Sequence, residues 1–154
     1  MRHAHHFLGI TQGGELAVFR TRGNAHAHIV LRGGGGRTNY DSASVALCEQ
    51  ELAKAGLPVN VVIDCSHGNS NKDPSQQPRV ADSCVKQILE GNGSIVGLML
   101  ESHLHAGSQP IPEDLALLRY GVSVTDACID WETTERLLAG IDERLRSAGV
   151  LTGR

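Results

Sequence analysis

Three side chains in this sequence combine an imidazole with two carboxylates. His67 and Glu101 each follow an apolar run, and Asp126 closes a short third segment. One neutral imidazole with two carboxylates suits a divalent first-row metal such as Mn²⁺, Fe²⁺, Co²⁺ or Zn²⁺. The three residues are 34 and 25 positions apart and share no short motif. The spacing therefore leaves a second interpretation open, in which they form a salt-bridged or capped edge of a sheet that holds no metal.

A second candidate for chemistry is Arg32, which ends another apolar run and precedes four consecutive glycines, Gly33–Gly36. A guanidinium group binds phosphate or carboxylate through paired N–H donors, and consecutive glycines let the backbone approach a ligand. The alternatives are a surface ion pair for the arginine and a flexible linker for the glycines. Lys72 and Asp73 lie in the loop after His67, where they face either a substrate or solvent.

The other histidines and the cysteines give weaker signals. His103 lies two residues after Glu101, on the same side of an extended chain, where it would orient that carboxylate. The N-terminal residues His3, His5 and His6 resemble a metal-binding tract, but we favour a disordered N-terminus. The four cysteines form no C-x-x-C pair, so we expect buried thiols in a reducing compartment.

Composition is that of an ordinary globular domain. The chain has 154 residues, of which 40% are hydrophobic and 20% charged, with a net charge of −3. This length allows a sizeable core, and the charge balance predicts neither nucleic-acid binding nor a polybasic membrane patch. No apolar run approaches the ~20 residues of a membrane span. Because the N-terminus also lacks the apolar core of a signal peptide, we expect a soluble cytoplasmic protein.

The elements that must position these residues alternate between strands and helices. Glycines between two short apolar runs predict a β-hairpin over 7–11 and 16–21. Further strands are predicted over 27–31, 59–65 and 94–100. Helices are predicted over 41–55, from Val80 to Gly91, and after Asp130, with a short segment at 113–118 and a loop or very short strand at 122–126. Such alternation is typical of βαβ units with parallel strands, whose carboxyl ends meet at one edge. Three clear strands are too few to close a barrel.

Four sequence blocks resemble class I 3-deoxy-D-arabino-heptulosonate-7-phosphate (DAHP) synthase. They are Ile29–Gly34, Ile63–Pro74, Gly97–Leu104 and Tyr120–Trp131. Enzymes of this family open the shikimate pathway to aromatic amino acids by condensing phosphoenolpyruvate with erythrose 4-phosphate and releasing phosphate. The resemblance implies an α/β protein with a (β/α)₈ TIM barrel. This chain would carry a β-hairpin and three to four parallel strands with their helices.

The resemblance also implies roles for individual residues. His67, Glu101 and Asp126 match three of the family's four metal ligands, and Arg32 matches an arginine that holds the phosphate of phosphoenolpyruvate. In the family the metal polarises the aldehyde of the sugar phosphate, which C3 of phosphoenolpyruvate attacks. The fourth ligand is a cysteine on a strand without a counterpart here. Gly68 stands where the family pattern has alanine.

The likeness covers only the C-terminal part of a typical family chain. We therefore expect residues 1–154 to form a single partial domain, the C-terminal segment of an incomplete barrel. In this hypothesis the chain acts as a DAHP synthase only with the missing N-terminal part of the barrel or a homo-oligomer partner. Two alternatives remain, a catalytically inactive remnant and a partner-binding module that docks on a full-length synthase through its open strand edges.

Overall fold

The structure is a computed structural model that describes residues 2–151. Its first element is the predicted antiparallel hairpin of β1 (His6–Ile10) and β2 (Leu16–Arg20). Just before β1, the ring Nδ1 of His5 lies 2.9 Å from Oγ1 of Thr21, which follows β2. The expectation of a disordered N-terminus is therefore wrong for the second and third histidines of the tract, which belong to the hairpin.

The predicted parallel sheet contains β3 (Ile29–Leu31), β4 (Val61–Asp64) and β5 (Ile95–Met99). Its order is β3-β4-β5, and both pairings are parallel. The β-branched residues of β4 suit a central strand that is covered by its neighbours. A single parallel bridge between Ser102 and Ile129 continues the sheet past β5. The sheet thus has three parallel strands, the lower number of the three to four expected, with one isolated bridge beyond them.

Helix α1 (Ser42–Lys54) has the predicted extent because both of its ends are capped. At the start, Oδ1 of Asp41 accepts the backbone N–H of Ser44 at 3.0 Å, which satisfies a donor that the helix itself cannot. At the end, Gly56 takes a left-handed φ of 63°, as is common just after a helix. The chain then turns at Leu57 into the core.

Helix α2 (Gln77–Leu89) begins earlier than predicted. The apolar spacing predicted a start at Val80, but a 3₁₀ turn at Pro74–Gln76 leads directly into the helix at Gln77. The carboxylate of Asp73 accepts the backbone N–H of Ser75 at 2.9 Å, and proline is favourable in a first turn. These local signals start the helix before the apolar periodicity becomes visible.

Helix α3 (Trp131–Ser147) begins after Asp130, which caps it as predicted. Leu137 and Ile141 pack against the core, as expected from their spacing. The sequence spacing would place Leu137, Leu138, Ile141 and Leu145 on one apolar face of this helix. Leu138 is 51% exposed, so the buried face is narrower than that spacing suggests. An ion pair also joins α3 to α2, between Arg144 and Asp82.

The core lies between the sheet and α1 and α2. Its buried members are Val45, Leu52, Val61, Ile63, Cys65, Val80, Ala81, Cys84 and Ile95. Large apolar side chains are exposed on the hairpin and on the outer strands, among them Leu8, Ile10, Leu16, Val18, Val30 and Val96. Exposed apolar groups of this kind are typical of a surface that packs against another element. Among the helices of residues 2–151, none combines the length and apolar character needed to cross a membrane.

The cap of α1 gives a prediction about pH. Hydrogen bonds from Ser44 hold the pKa of the Asp41 carboxyl below its usual 3.8. The folded state therefore binds this proton less tightly than the unfolded state, so the stabilisation exists above the unfolded pKa and is lost as the pH falls through the folded pKa. We expect Asp41→Ala to lower the free energy of unfolding by about 1 kcal/mol at neutral pH, and by less in acid.

Urea denaturation of both proteins at neutral pH and in acid measures the free energy of unfolding and checks this expectation. Ser42→Ala is the matched control, because Ser42 lies next to the cap and its exposed hydroxyl makes no capping bond. It should change the free energy by less than about 0.5 kcal/mol. An effect of Asp41→Ala that stays the same in acid would contradict the capping account.

Candidate metal centre

His67, Glu101 and Asp126 meet at the carboxyl ends of the strands. One ligand atom from each lies within 4.8 Å of the other two. Nε2 of His67 is 3.9 Å from Oε1 of Glu101 and 3.6 Å from Oδ2 of Asp126. Ligand atoms around one cation with bonds of about 2.1 Å lie roughly 3 Å apart. Small side-chain rotations would therefore give the three atoms the spacing that a metal needs.

The His67 ring is oriented by Asp64, the last residue of β4. Nδ1 of His67 lies 2.8 Å from Oδ2 of Asp64, whose side chain is only 4% exposed. The other carboxylate oxygen of Asp64 accepts the backbone N–H of Ser66 at 2.8 Å. A carboxylate on Nδ1 holds the proton there and leaves Nε2 as the free lone pair, which is the common arrangement for metal-binding histidines. The only sequence sign of this contact is the position of Asp64 three residues before His67, and the sequence pattern predicts no role for Asp64.

The backbone at His67 is left-handed, with φ of 46°, and two further non-glycine residues of this loop share that conformation, Asn71 at 53° and Lys72 at 61°. Such values are costly for ordinary residues and often mark functional sites. Strict alternation along β4 would place Cys65 and His67 on the same strand face. They do not share a face, because β4 ends at Asp64 and His67 has left the strand. Cys65 is instead fully buried in the core, where burial raises the pKa of its thiol.

Glu101 is held through its backbone. The side chain of Gln77, which is 0% exposed, donates from Nε2 to the carbonyl of Glu101 at 3.0 Å and accepts its N–H on Oε1 at 2.8 Å. His103, predicted to orient Glu101, is exposed, and its Nδ1 accepts the backbone N–H of Leu104. Gln77 is a contact that sequence reasoning missed, because residues 24 positions apart give no local signal.

Asp126 lies in the segment 122–126, which is a loop with one bridge, between Ser123 and Ser108. The segment is fixed just beyond Asp126, where the N–H of Ile129 donates to the carbonyl of Glu101 at 3.0 Å. The side chain of Asp126 is 57% exposed. It is therefore the most accessible member of the group and the one whose position depends least on core packing.

Arg32 lines a cavity of about 510 Å³ beside His67. The cavity is bounded by Arg32, Gly33, Gly34, Gly35, Gly36, His67, Gly68, Asn71 and Lys72. Two cationic side chains and several backbone N–H groups make it suitable for an anion. Arg32 takes part in none of the ion pairs formed within residues 2–151, contrary to the surface ion-pair alternative. Asp73 is absent from the lining because its carboxylate caps the 3₁₀ turn.

Asn69 connects the two halves of this site. Its side chain is buried, and Nδ2 donates to the carbonyls of Leu31 at 3.0 Å and of Asp64 at 2.9 Å. Its backbone N–H donates to the carbonyl of Arg32 at 3.2 Å. The amide thus joins the carboxyl ends of β3 and β4, so the distance between Arg32 and His67 is set by buried hydrogen bonds.

The glycine run is an ordered turn and not a flexible linker. Gly34 and Arg37 exchange two backbone hydrogen bonds, and Gly33 has a φ of 67°. A Cβ added to Gly33 would lie 2.7 Å from the carbonyl carbon of Gly68, and one added to Gly68 would lie 2.6 Å from that of Gly33. The two backbones pack directly on each other, so a methyl group at Gly68, where the family pattern has alanine, requires them to move apart.

Fold and site together define an α/β protein whose candidate functional groups lie at the carboxyl ends of parallel strands. The chain belongs to the DAHP synthetase I family, which it matches over residues 1–139. It is 52% identical over 150 residues to the Tyr-sensitive phospho-2-dehydro-3-deoxyheptonate aldolase of Enterobacter agglomerans, covering 97% of this chain and 69% of the relative. It is 51% identical over 150 residues to the Tyr-sensitive enzyme of that name from Escherichia coli K12, covering 97% of this chain and 41% of the relative.

A solved structure agrees with these relatives. The phospho-2-dehydro-3-deoxyheptonate aldolase of Francisella tularensis SCHU S4 superimposes with a TM-score of 0.87 at 42% identity, over 94% of this chain and 42% of that chain. The family resemblance and the α/β class with a parallel sheet are thereby confirmed. The chain spans about two fifths of the length of the Escherichia coli and Francisella tularensis proteins.

The contact between the two glycines gives a second prediction. Gly33→Ala should lower the free energy of unfolding by about 2–4 kcal/mol, since it adds a backbone clash to a left-handed residue. Gly35→Ala is the matched control, because Gly35 has a similar φ of 58° and open space around its Cβ position. It should cost only about 1–2 kcal/mol. Equal losses in urea denaturation would show that the contact with Gly68 contributes nothing.

Proposed function

We propose that these residues form part of the active site of a metal-dependent DAHP synthase, a transferase that condenses phosphoenolpyruvate with erythrose 4-phosphate. The observation that carries this proposal is the convergence of His67, Glu101 and Asp126 beside the cavity lined by Arg32. A cation site next to an anion site is what a reaction between a phosphorylated enol and a phosphorylated aldehyde requires. Membership of the family supports the same reaction.

In this proposal His67, Glu101 and Asp126 hold a divalent cation such as Mn²⁺, Fe²⁺, Co²⁺ or Zn²⁺. The donor set fits, because Nε2 of His67 faces both carboxylates while Asp64 occupies Nδ1. When bound, the metal supplies Lewis-acid activation of the aldehyde oxygen. The buried Asp64 keeps the imidazole in the required tautomer and orientation throughout.

Arg32 binds the phosphate of phosphoenolpyruvate in this proposal. Its guanidinium group can present two parallel N–H donors to the phosphate oxygens, and Lys72 adds a second positive charge in the same cavity. The backbone N–H groups of the glycine turn are available for further contacts. Together these groups would bind and orient phosphoenolpyruvate beside the three proposed metal ligands.

The fold is proposed to be the C-terminal part of a (β/α)₈ barrel in which residues 1–154 form one partial domain. Two observations support this. The outer strands β3 and β5 of the sheet formed by residues 2–151 carry exposed apolar side chains, and the chain matches the C-terminal part of relatives more than twice as long. The N-terminal strands of the barrel would supply the fourth ligand and the rest of the substrate sites, whereas a homo-oligomer partner would instead cover the open strand edges. We also propose a cytoplasmic location for this activity.

A complementation assay tests the proposed activity. The chain is mixed with a polypeptide that carries the unmatched N-terminal part of the Escherichia coli relative, and synthase turnover is measured with both substrates and Mn²⁺. We expect turnover from the mixture and little from either part alone. Binding of the two parts without turnover would favour an inactive remnant or a partner-binding module, and strong turnover by the chain alone would exclude the partial-barrel proposal.

The proposed metal ligands can be tested separately from turnover. His67→Ala or Glu101→Ala should weaken Mn²⁺ binding by at least about 100-fold, because each removes one of three protein ligands. Isothermal titration of the purified chain measures the affinity. His103→Ala is the control, since His103 is exposed near Glu101 and lies outside the convergent group. Unchanged affinity in the first two variants would refute the assignment.

The proposed phosphate site gives a matching prediction. Arg32→Ala should weaken phosphoenolpyruvate binding to the reconstituted enzyme by about 2–4 kcal/mol, as the loss of a charge partner does. The measured quantity is the KM for phosphoenolpyruvate, with the KM for erythrose 4-phosphate as reference. Arg37→Ala is the control, because this neighbouring arginine does not line the cavity. Equal effects of the two substitutions would contradict a specific role for Arg32.

A further inference from the structure

We infer that Gln77 is a positioning residue of the metal centre, whose buried carboxamide fixes the Glu101 peptide and so raises the affinity of the His67–Glu101–Asp126 group for a divalent cation. The inference rests on the proposed metal site and assigns a role to a residue outside it. Gln77 reaches Glu101 only through the backbone. Its effect on a bound cation would therefore be entirely indirect.

Gln77 and Glu101 are joined by two short hydrogen bonds. Gln77 is 0% exposed, so its polar atoms must find partners within the protein. Its Nε2 lies 3.0 Å from the carbonyl oxygen of Glu101, and its Oε1 lies 2.8 Å from the amide nitrogen of the same residue. Two antiparallel hydrogen bonds to one residue fix both the position and the rotation of its backbone, and hence the direction in which the carboxylate leaves the chain.

The same carbonyl connects Gln77 to the segment that carries Asp126. The carbonyl oxygen of Glu101 accepts both Nε2 of Gln77 and the backbone N–H of Ile129. Removing the glutamine therefore loosens two of the three ligand-bearing segments at their common point. Asp126 is the most exposed of the three, and the Glu101 carbonyl is one of the anchors of its loop, beside the two backbone hydrogen bonds between Gly107 and Cys128.

Gln77 is also tied to the third ligand through the chain itself. The loop that begins at His67 ends in the turn Pro74–Gln76, which is capped by Asp73 and leads into Gln77. The first residue of α2 is thus fixed relative to the His67 loop. Gln77 therefore lies at the contact between the segments that carry Glu101 and Asp126, and it follows the His67 loop in the chain.

The same helix offers a matched control. Gln87 is buried as well, and its Nε2 donates to the carbonyls of Tyr40 at 2.8 Å and of Ser83 at 3.3 Å. It makes no hydrogen bond to the residues around the metal centre. Substituting Gln77 or Gln87 by methionine conserves volume and removes the hydrogen bonds. Gln77 loses a donor bond and an acceptor bond to Glu101, whereas Gln87 loses only donor bonds away from the metal centre, because its buried Oε1 has no hydrogen-bond partner within residues 2–151.

The test compares Mn²⁺ affinity and stability of the full 154-residue chain in four forms: unmodified, Gln77→Met, Gln87→Met and Glu101→Ala. Affinity is measured by titration followed by electron paramagnetic resonance, and stability by urea denaturation without metal. We expect Gln77→Met to bind about 10–100-fold more weakly and Gln87→Met within about twofold of the unmodified chain. Both methionine variants should lose stability, so a stability loss alone cannot account for the difference.

Gln77→Asn provides a second variant that keeps the amide and is expected to fold. Its side chain is one methylene shorter and cannot make both bonds to Glu101, so we expect an intermediate loss of affinity. If the unmodified chain binds Mn²⁺ and Glu101→Ala does not, while the Gln77 variants match Gln87→Met, the positioning role is wrong and the metal site stands. If the unmodified chain does not bind Mn²⁺, the metal site and the positioning role are both wrong.

Discussion

The buried side chain of Asn69 is the contact on which both parts of the site depend. Its amide donates to the carbonyls of Leu31 and Asp64, the last residues of two neighbouring strands. Arg32 and the His67 loop continue from those ends, so one amide sets the spacing between the cavity lined by Arg32 and the imidazole. A buried amide is costly unless it is paired. Here each donor has a backbone acceptor, and Oδ1 accepts the N–H of Asn39 at 2.8 Å.

This anchoring explains how the loop can hold unfavourable backbone angles. Left-handed conformations at His67, Asn71 and Lys72 each cost of order 1 kcal/mol or more. They persist because backbone hydrogen bonds close the loop on itself, as between the N–H of Lys72 and the carbonyl of His67 at 2.8 Å. The result is a histidine whose backbone is held by the loop, while Asp64 fixes both the rotation and the tautomer of its ring. Such preorganisation is what a binding site needs from its supporting residues.

The sequence predicted those features that local patterns encode. The hairpin, the parallel strands and the cap at Asp41 follow from β-branched runs, glycines and short polar side chains. The strand-end positions also pointed to His67 and Glu101, and the family resemblance supplied their roles. What escaped prediction depends on distant contacts. No pattern near Gln77 reveals that its amide meets residue 101, and the start of α2 was misplaced because capping by Asp73 precedes the apolar periodicity. The exposure of Leu138 likewise depends on how α3 lies against α2.

The site separates negative from positive side chains. Three carboxylates, those of Asp64, Glu101 and Asp126, surround a single imidazole, while Arg32 and Lys72 line the adjoining cavity. Like charges within 5 Å repel strongly in a poorly solvated site. Water screens this repulsion at Asp126, whose side chain is more than half exposed, whereas the deeply buried Asp64 is hydrogen-bonded to Nδ1 of His67 and to the backbone N–H of Ser66. A divalent cation would relieve the mutual repulsion of these carboxylates, and the neighbouring cavity with its two cationic side chains would attract phosphate oxygens. The two subsites are complementary because each binds the charge that the other repels.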